Sequence, residues 1–202
     1  MSEPRLARAL AAIDAANADD PNRLALRGAP RPKELVHAEL VSQWVVRLVP
    51  RAGEALRLAA RAHHVRRWEI PRGSFEAGRT GYHRWRTALH DHHARVAGEI
   101  LEGVGYDAAT IRRVQDLIRK RGLGRDPEVQ ALEDALCLVF LETQLAELAG
   151  RMDEAKLVDV MRKTLRKMSP RAQRLAESLP LAARERALLS RAAEESAGSP
   201  IS

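Results

Sequence analysis

The chain has 202 residues, 34 basic against 27 acidic for a formal charge of +7, 45% apolar residues and one cysteine. That length suits one domain with a buried core, the charge favours anionic ligands, and the composition is globular rather than disordered. No apolar run approaches the roughly 20 residues of a membrane span, the N-terminus lacks a secretory pattern, and a lone Cys137 in an apolar run fits a cytoplasmic protein without an internal disulfide.

Helical periodicity runs almost throughout and period-two alternation is nearly absent, which predicts an all-α fold: a compact bundle of about eight helices in a single domain. The first helix is expected over Pro4–Ala18, closed by the turn Asp19-Asp20-Pro21-Asn22. After a loop with Gly28, Pro30 and Pro32, helices follow over Lys33–Val49, stopped by Pro50, and Ala52–Trp68. The latter ends ahead of Pro71, since a residue preceding proline leaves helical geometry. The next stretch, E-I-P-R-G-S-F-E-A-G-R-T-G, is a long loop for a helical domain and therefore a candidate for function. Helices resume over Tyr82–Val104, Asp107–Arg121, Asp126–Ala149, Asp153–Met168 and Pro170–Ala197, several opened by Asp or Ser as N-caps. The ending S-A-G-S-P-I-S reads as a frayed tail.

All seven histidines lie between His37 and His93. At about 100° per residue, His37 falls at the centre of the stripe Leu40, Val41, Trp44, Leu48 and should point inward. His63 falls within the small-residue stripe Ala52, Ala55, Leu56, Ala59, Ala62, with His64 on its flank. On the fourth helix His93 projects about 40° from the middle of the apolar stripe, His92 is about 60° off on the other side, and His83 and His90 are lateral. Asp134 adjoins the apolar run A-L-C-L-V-F-L and shares a face with Leu138, Leu141 and Leu145. A buried carboxylate cannot stand alone, so it needs an arginine, a cluster of histidines or a metal ion. Inward histidines from separate helices together with one buried aspartate point to a shared centre that could hold a divalent metal with open positions for water and substrate.

The segments A-A-R-A-H-H-V-R-R-W-E-I-P-R, R-T-G-Y-H-R-W-R, G-Y-D, D-P-E-V-Q-A-L-E-D-A-L-C-L-V-F-L-E and K-T-L-R-K-M-S occur in that order. They closely resemble a family catalogued as domain of unknown function 4202, over roughly Asp20 to Ala176, which names no activity. The order His37, then L-A-A-R-A-H-H-V, then E-D-A-L is distantly similar to the HD-domain metal phosphohydrolases. That likeness implies an HD-like bundle with His37, His63, His64 and Asp134 as metal ligands for Mn, Fe, Zn, Ni or Mg. Asp134 and an accessory His93 would carry the catalytic roles. The doublet here is His-His rather than His-Asp, so it supplies no negative charge. Lys167-Met168-Ser169 echoes a tripeptide of class I aminoacyl-tRNA synthetases, but the chain lacks the glycine-rich strand-to-helix turn of their nucleotide fold.

Arg66, Arg67 and Arg72 bracket Trp68, and Arg79, Arg84 and Arg86 follow with Tyr82 and Trp85 among them; Lys120 ends the fifth helix. Guanidinium groups match phosphate oxygens two at a time, so this set suits a phosphorylated small molecule or nucleotide beside the metal. The expected activity is metal-dependent hydrolysis of a phosphate ester. The alternative is a non-catalytic RNA- or nucleotide-binding module that uses the same arginines and aromatics. A third reading, a scaffold, would use an exposed stripe of Leu175, Leu179, Leu181 and Leu188.

Overall fold

In the computed structural model, which describes residues 3–25 and 28–197, helix follows helix as the 3.6-residue periodicity dictates. The described chain divides into two compact units, one up to Leu132 and the other from Glu133. The all-α class is as expected, apart from a two-residue antiparallel ladder, β1 (Arg23–Leu24) with β2 (Arg31–Pro32), that period-two patterning was too short to announce. The expected tail lies, from residue 198, outside the described residues.

The first unit is built around a helix of small side chains. Helix α1 (Glu3–Ala18) leads through the β1–β2 ladder to α2 (Lys33–Leu48), whose start is fixed when the Glu34 N–H donates to Asp20 Oδ2 at 2.9 Å. Helix α3 (Glu54–Ala62) follows, with Leu56, Leu58, Ala59, Ala60 and Ala62 all wholly buried. It packs against α1, α2, α4 (Gly78–Val104) and α5 (Ala108–Ile118), close approaches that alanine permits. A bidentate pair between Arg61 and Asp14 ties its last turn to α1. Helix α4 ends at Gly105, whose φ of 88° is a left-handed cap costing glycine little. The carboxylates of Asp107 and Asp126 accept from the first amides of α5 and α6 (Pro127–Thr143), as N-caps should.

In the second unit α7 (Leu145–Ala149), α8 (Glu154–Leu165) and α9 (Pro170–Glu177) each pack against α10 (Ala183–Ala197). Asp153 caps α8, and Ser169 caps α9 ahead of Pro170 at the first helical position. The tripeptide Lys167-Met168-Ser169 thus ends in a helix cap.

The helices are shorter and more numerous than the pattern divides them. The third helix stops at Ala62, not Trp68. The fourth begins at Gly78, not Tyr82, after two short 3-10 turns at Arg67–Glu69 and Arg72–Ser74. The sixth stops at Thr143, and α7 begins at Leu145. The last segment breaks between α9 and α10 around Pro180, which has no N–H to continue a helix. The leucine stripe proposed as a docking face is not exposed: Leu179 and Leu188 are buried.

Candidate metal centre

The site begins where α3 fails to continue. His63 takes the C-cap position, the Val65 N–H still reaches the Ala62 carbonyl at 2.9 Å, and then Arg66 turns left-handed at φ 51°, ψ 39°. For a residue with a Cβ that conformation costs about 1–2 kcal/mol. Three contacts hold it. The Arg66 N–H donates to Asn17 Oδ1 of α1 at 3.1 Å, the Val65 carbonyl accepts from His93 Nδ1 of α4 at 2.9 Å, and the Arg66 carbonyl accepts from His92 Nε2 at 3.1 Å. The Arg66 N–H, which a longer α3 would have given to the Ala62 carbonyl, goes to Asn17, and the Val65 and Arg66 carbonyls accept from imidazoles.

This turn swings both doublet rings toward α2. The ring centres of His37 and His63 lie 5.1 Å apart, His37 stacks on His64 at 4.9 Å, and His63 lies 4.2 Å from His64. One ligand atom from each of the three rings lies within 4.8 Å of the other two. His37 and His63 are buried and His64 is half-buried, so the ring expected on the flank is in the cluster. His63 Nε2 and His37 Nδ1 are 3.1 Å apart. Two nitrogens bound to one tetrahedral ion by bonds of about 2.0–2.1 Å stand roughly 3.3 Å apart, so the spacing suits an ion. With the His63 proton on Nδ1, the contact is a hydrogen bond from His37 Nδ1–H to His63 Nε2 that ligation would have to replace.

Hydrogen bonds assign the tautomers. His63 Nδ1–H donates to the Ala60 carbonyl at 2.9 Å and His64 Nδ1–H to Glu34 Oε2 at 3.1 Å. Each ring therefore keeps its lone pair on Nε2. Burial is the main cause that lowers the pKa of His37 to about 4 and those of His63 and His64 well below the usual range, with the neighbouring rings and Arg67 adding to it. At neutral pH the three rings are uncharged, the form that binds metals.

His93 repeats the pattern with a difference. Its Nδ1–H is held by Val65, its ring centre lies 5.5 Å from that of His64, and burial pulls its pKa to about 3. Its Nε2 is wholly buried without a partner. A buried acceptor left unmade costs about 1–3 kcal/mol, which singles this atom out in the cluster. His92 is satisfied at both nitrogens, by Arg66 and by Arg95, while His83 is exposed and His90 half-buried on the same helix.

The cations separate into two groups. Arg67 adjoins the cluster: its Nη1 lies 3.5 Å from His64 Nε2, its Nε 3.8 Å from Glu34, and its guanidinium 5.1 Å from the centre of the Trp85 ring. Burial and the nearby Arg86 lower its pKa, and Glu34 opposes them. Lys120, left-handed at φ 59°, lies close enough to His63 for its charge to depress that ring. Other arginines are engaged in local structure. Arg72 donates to the carbonyls of Phe75 and Glu76, Arg79 to His83, and Arg84 and Arg66 pair with Glu76 and Glu69. The loop they brace is pinned by the Trp85 indole N–H donating to the Ile70 carbonyl at 2.9 Å.

Asp134, expected as a ligand, is described in the second unit, where it is buried. Its carboxylate accepts from the Ser169 N–H at 2.8 Å and from the Ser169 hydroxyl. It thereby anchors the start of α9, a helix-cap partner the sequence reading did not consider. Two residues went unnoticed in the sequence. Glu34 stands three before His37 on one face of α2, a Glu-x-x-His spacing that would have revealed it. Asn17 carries no such signal; burial alone marks it.

The model of the family described as domain of unknown function DUF4202 matches residues 7–189. No curated protein matches the chain, and no solved structure does. Among the described residues no helix is long and apolar enough to cross a membrane.

Proposed function

We propose that this chain, which belongs to the DUF4202 family, holds a divalent metal ion on His37, His63 and His64 and hydrolyses a phosphate ester, a nucleotide or another small phosphorylated molecule. The observation that carries this is the shared tautomer: His63 and His64 each spend Nδ1–H on a fixed acceptor and keep the Nε2 lone pair, now faced by His37 Nδ1 and Arg67 Nη1, free of a proton, as imidazoles prepared for ligation do. Uncharged nitrogen ligands favour zinc, iron or nickel over magnesium, which prefers oxygen. A bound ion would supply Lewis acidity toward a phosphoryl oxygen and activation of a water molecule. Arg67, with Arg86 beside it, would hold phosphoryl oxygens, and the bare Nε2 of His93 would accept a proton or orient the nucleophile.

Elemental analysis of protein purified without chelator or affinity metal tests the centre, beside His63→Ala and His37→Ala. Near-stoichiometric zinc, iron or nickel in the wild type, lost in both variants, is expected, together with release of phosphate from nucleotides or sugar phosphates that chelator abolishes. Equal trace metal in all three proteins overturns the reading. RNA binding by the metal-free protein that weakens steeply with salt would then favour the non-catalytic module.

A further inference from the structure

We infer that Glu34 is a positioning residue of this centre: by accepting the His64 Nδ1–H, its carboxylate fixes the tautomer that presents the Nε2 lone pair to an ion. The inference rests on the metal-binding reading and deepens it. His63 and His93 take their orientation from main-chain carbonyls, Ala60 of α3 and Val65 of the turn, whereas His64 takes its from a side chain on another helix. That side chain is buried, an unfavourable place for an acid without a task. Its backbone is fixed too, since the Glu34 N–H is held by Asp20. Arg67 also pairs with the carboxylate, but its Nε stands 3.8 Å from Glu34 Oε1, beyond hydrogen bonding, whereas His64 Nδ1 is within it at 3.1 Å. One turn of α2 thus delivers both a ligand ring, His37, and the group that aims a second ring from another segment. A carboxylate behind an imidazole also makes the ring a better donor to a metal.

The test uses the full chain at pH 8. Nitrogen-15 NMR of the metal-free protein reads the His64 tautomer, and competition with a chromophoric chelator reads zinc affinity. In the wild type His64 carries its proton on Nδ1. Glu34→Ala is expected to shift the proton toward Nε2 and to weaken zinc binding about 10- to 100-fold. Glu34→Gln, whose amide oxygen can accept the same proton, is expected to restore the tautomer and most of the affinity. Should Glu34→Ala fail to fold, Glu34→Met fills the volume and carries the same expectation. A wild type that takes up no zinc sinks the centre itself. A wild type that binds zinc, beside a Glu34→Ala or Glu34→Met protein that binds it as tightly or keeps the Nδ1–H tautomer, sinks the role of Glu34 alone.

Discussion

Asn17 and His93 grip the same peptide group from opposite ends: Asn17 Oδ1 accepts the Arg66 N–H, and His93 Nδ1–H donates to the Val65 carbonyl. The plane of that peptide decides where the chain leaves the histidine doublet, so α1 and α4 jointly set the doublet's direction.

Asn17→Ala should therefore destabilise the fold and loosen the centre. Losing the acceptor of a buried N–H costs about 1–3 kcal/mol, and the low end is expected because the Asn17 Nδ2, itself buried and unpartnered, is removed as well. Arg66→Gly should do the reverse for stability, gaining up to about 1 kcal/mol where a Cβ is disfavoured. Urea melts of the two variants check the opposite signs; a midpoint that falls for Arg66→Gly would count against strain at this turn.

Acid should weaken the metal-free protein earlier than carboxylate titration explains. His37, His63, His64 and His93 all have folded pKa values below the unfolded value of about 6.5. Unfolded chains then bind protons that the folded protein refuses, so this stability is fully present above pH 6.5 and is lost as pH falls toward 4. Glu34, raised to about 7 chiefly by burial, works the other way, gaining stability as it protonates, but it is one group against four rings. Denaturation midpoints in chelator at pH 7, 6 and 5 should decline, and His37→Gln should flatten the decline. A flat wild-type profile would refute the buried neutral rings.

Arg67 and Arg72 lie near the same indole yet should fail differently. Arg67→Ala should weaken binding of a phosphorylated ligand about 10-fold or more, and Arg67→Lys should recover little, since lysine offers neither the fork nor the stack on Trp85. Arg72→Ala should instead free the carbonyls of Phe75 and Glu76, costing about 1 kcal/mol and exposing residues 70–77 to limited proteolysis. Calorimetry with a phosphate ligand and a protease time course separate the two.

Asp134→Ala should cost about 1–3 kcal/mol by stranding the Ser169 amide and hydroxyl at the start of α9. Ser169→Ala should reproduce part of that loss, and the double variant should fall short of the sum because the two share one interaction. A strictly additive pair of melting shifts would contradict the contact.

Much of this centre was legible in the helical wheel. His37 and His63 lie on apolar stripes and meet where those stripes meet. His64, expected on the flank of its stripe and among the ligands, is half-buried and in the cluster, but the turn that brings it there was not legible, since nothing in R-A-H-H-V-R-R announces a left-handed arginine where glycine or asparagine is usual. The demand that Asp134 find a partner was sound: one partner is a serine 35 positions on, and periodicity carries no information about such tertiary caps. One additional helix end, between α9 and α10, comes from a proline without a donor.

If the proposed centre takes up a dication, a trio of uncharged imidazoles would leave it its full double charge, because none of the three subtracts from it. Cation and anion should consequently load cooperatively: phosphate raises the apparent affinity for the metal, and the metal raises that for phosphate by the same factor, as reciprocity between linked sites requires.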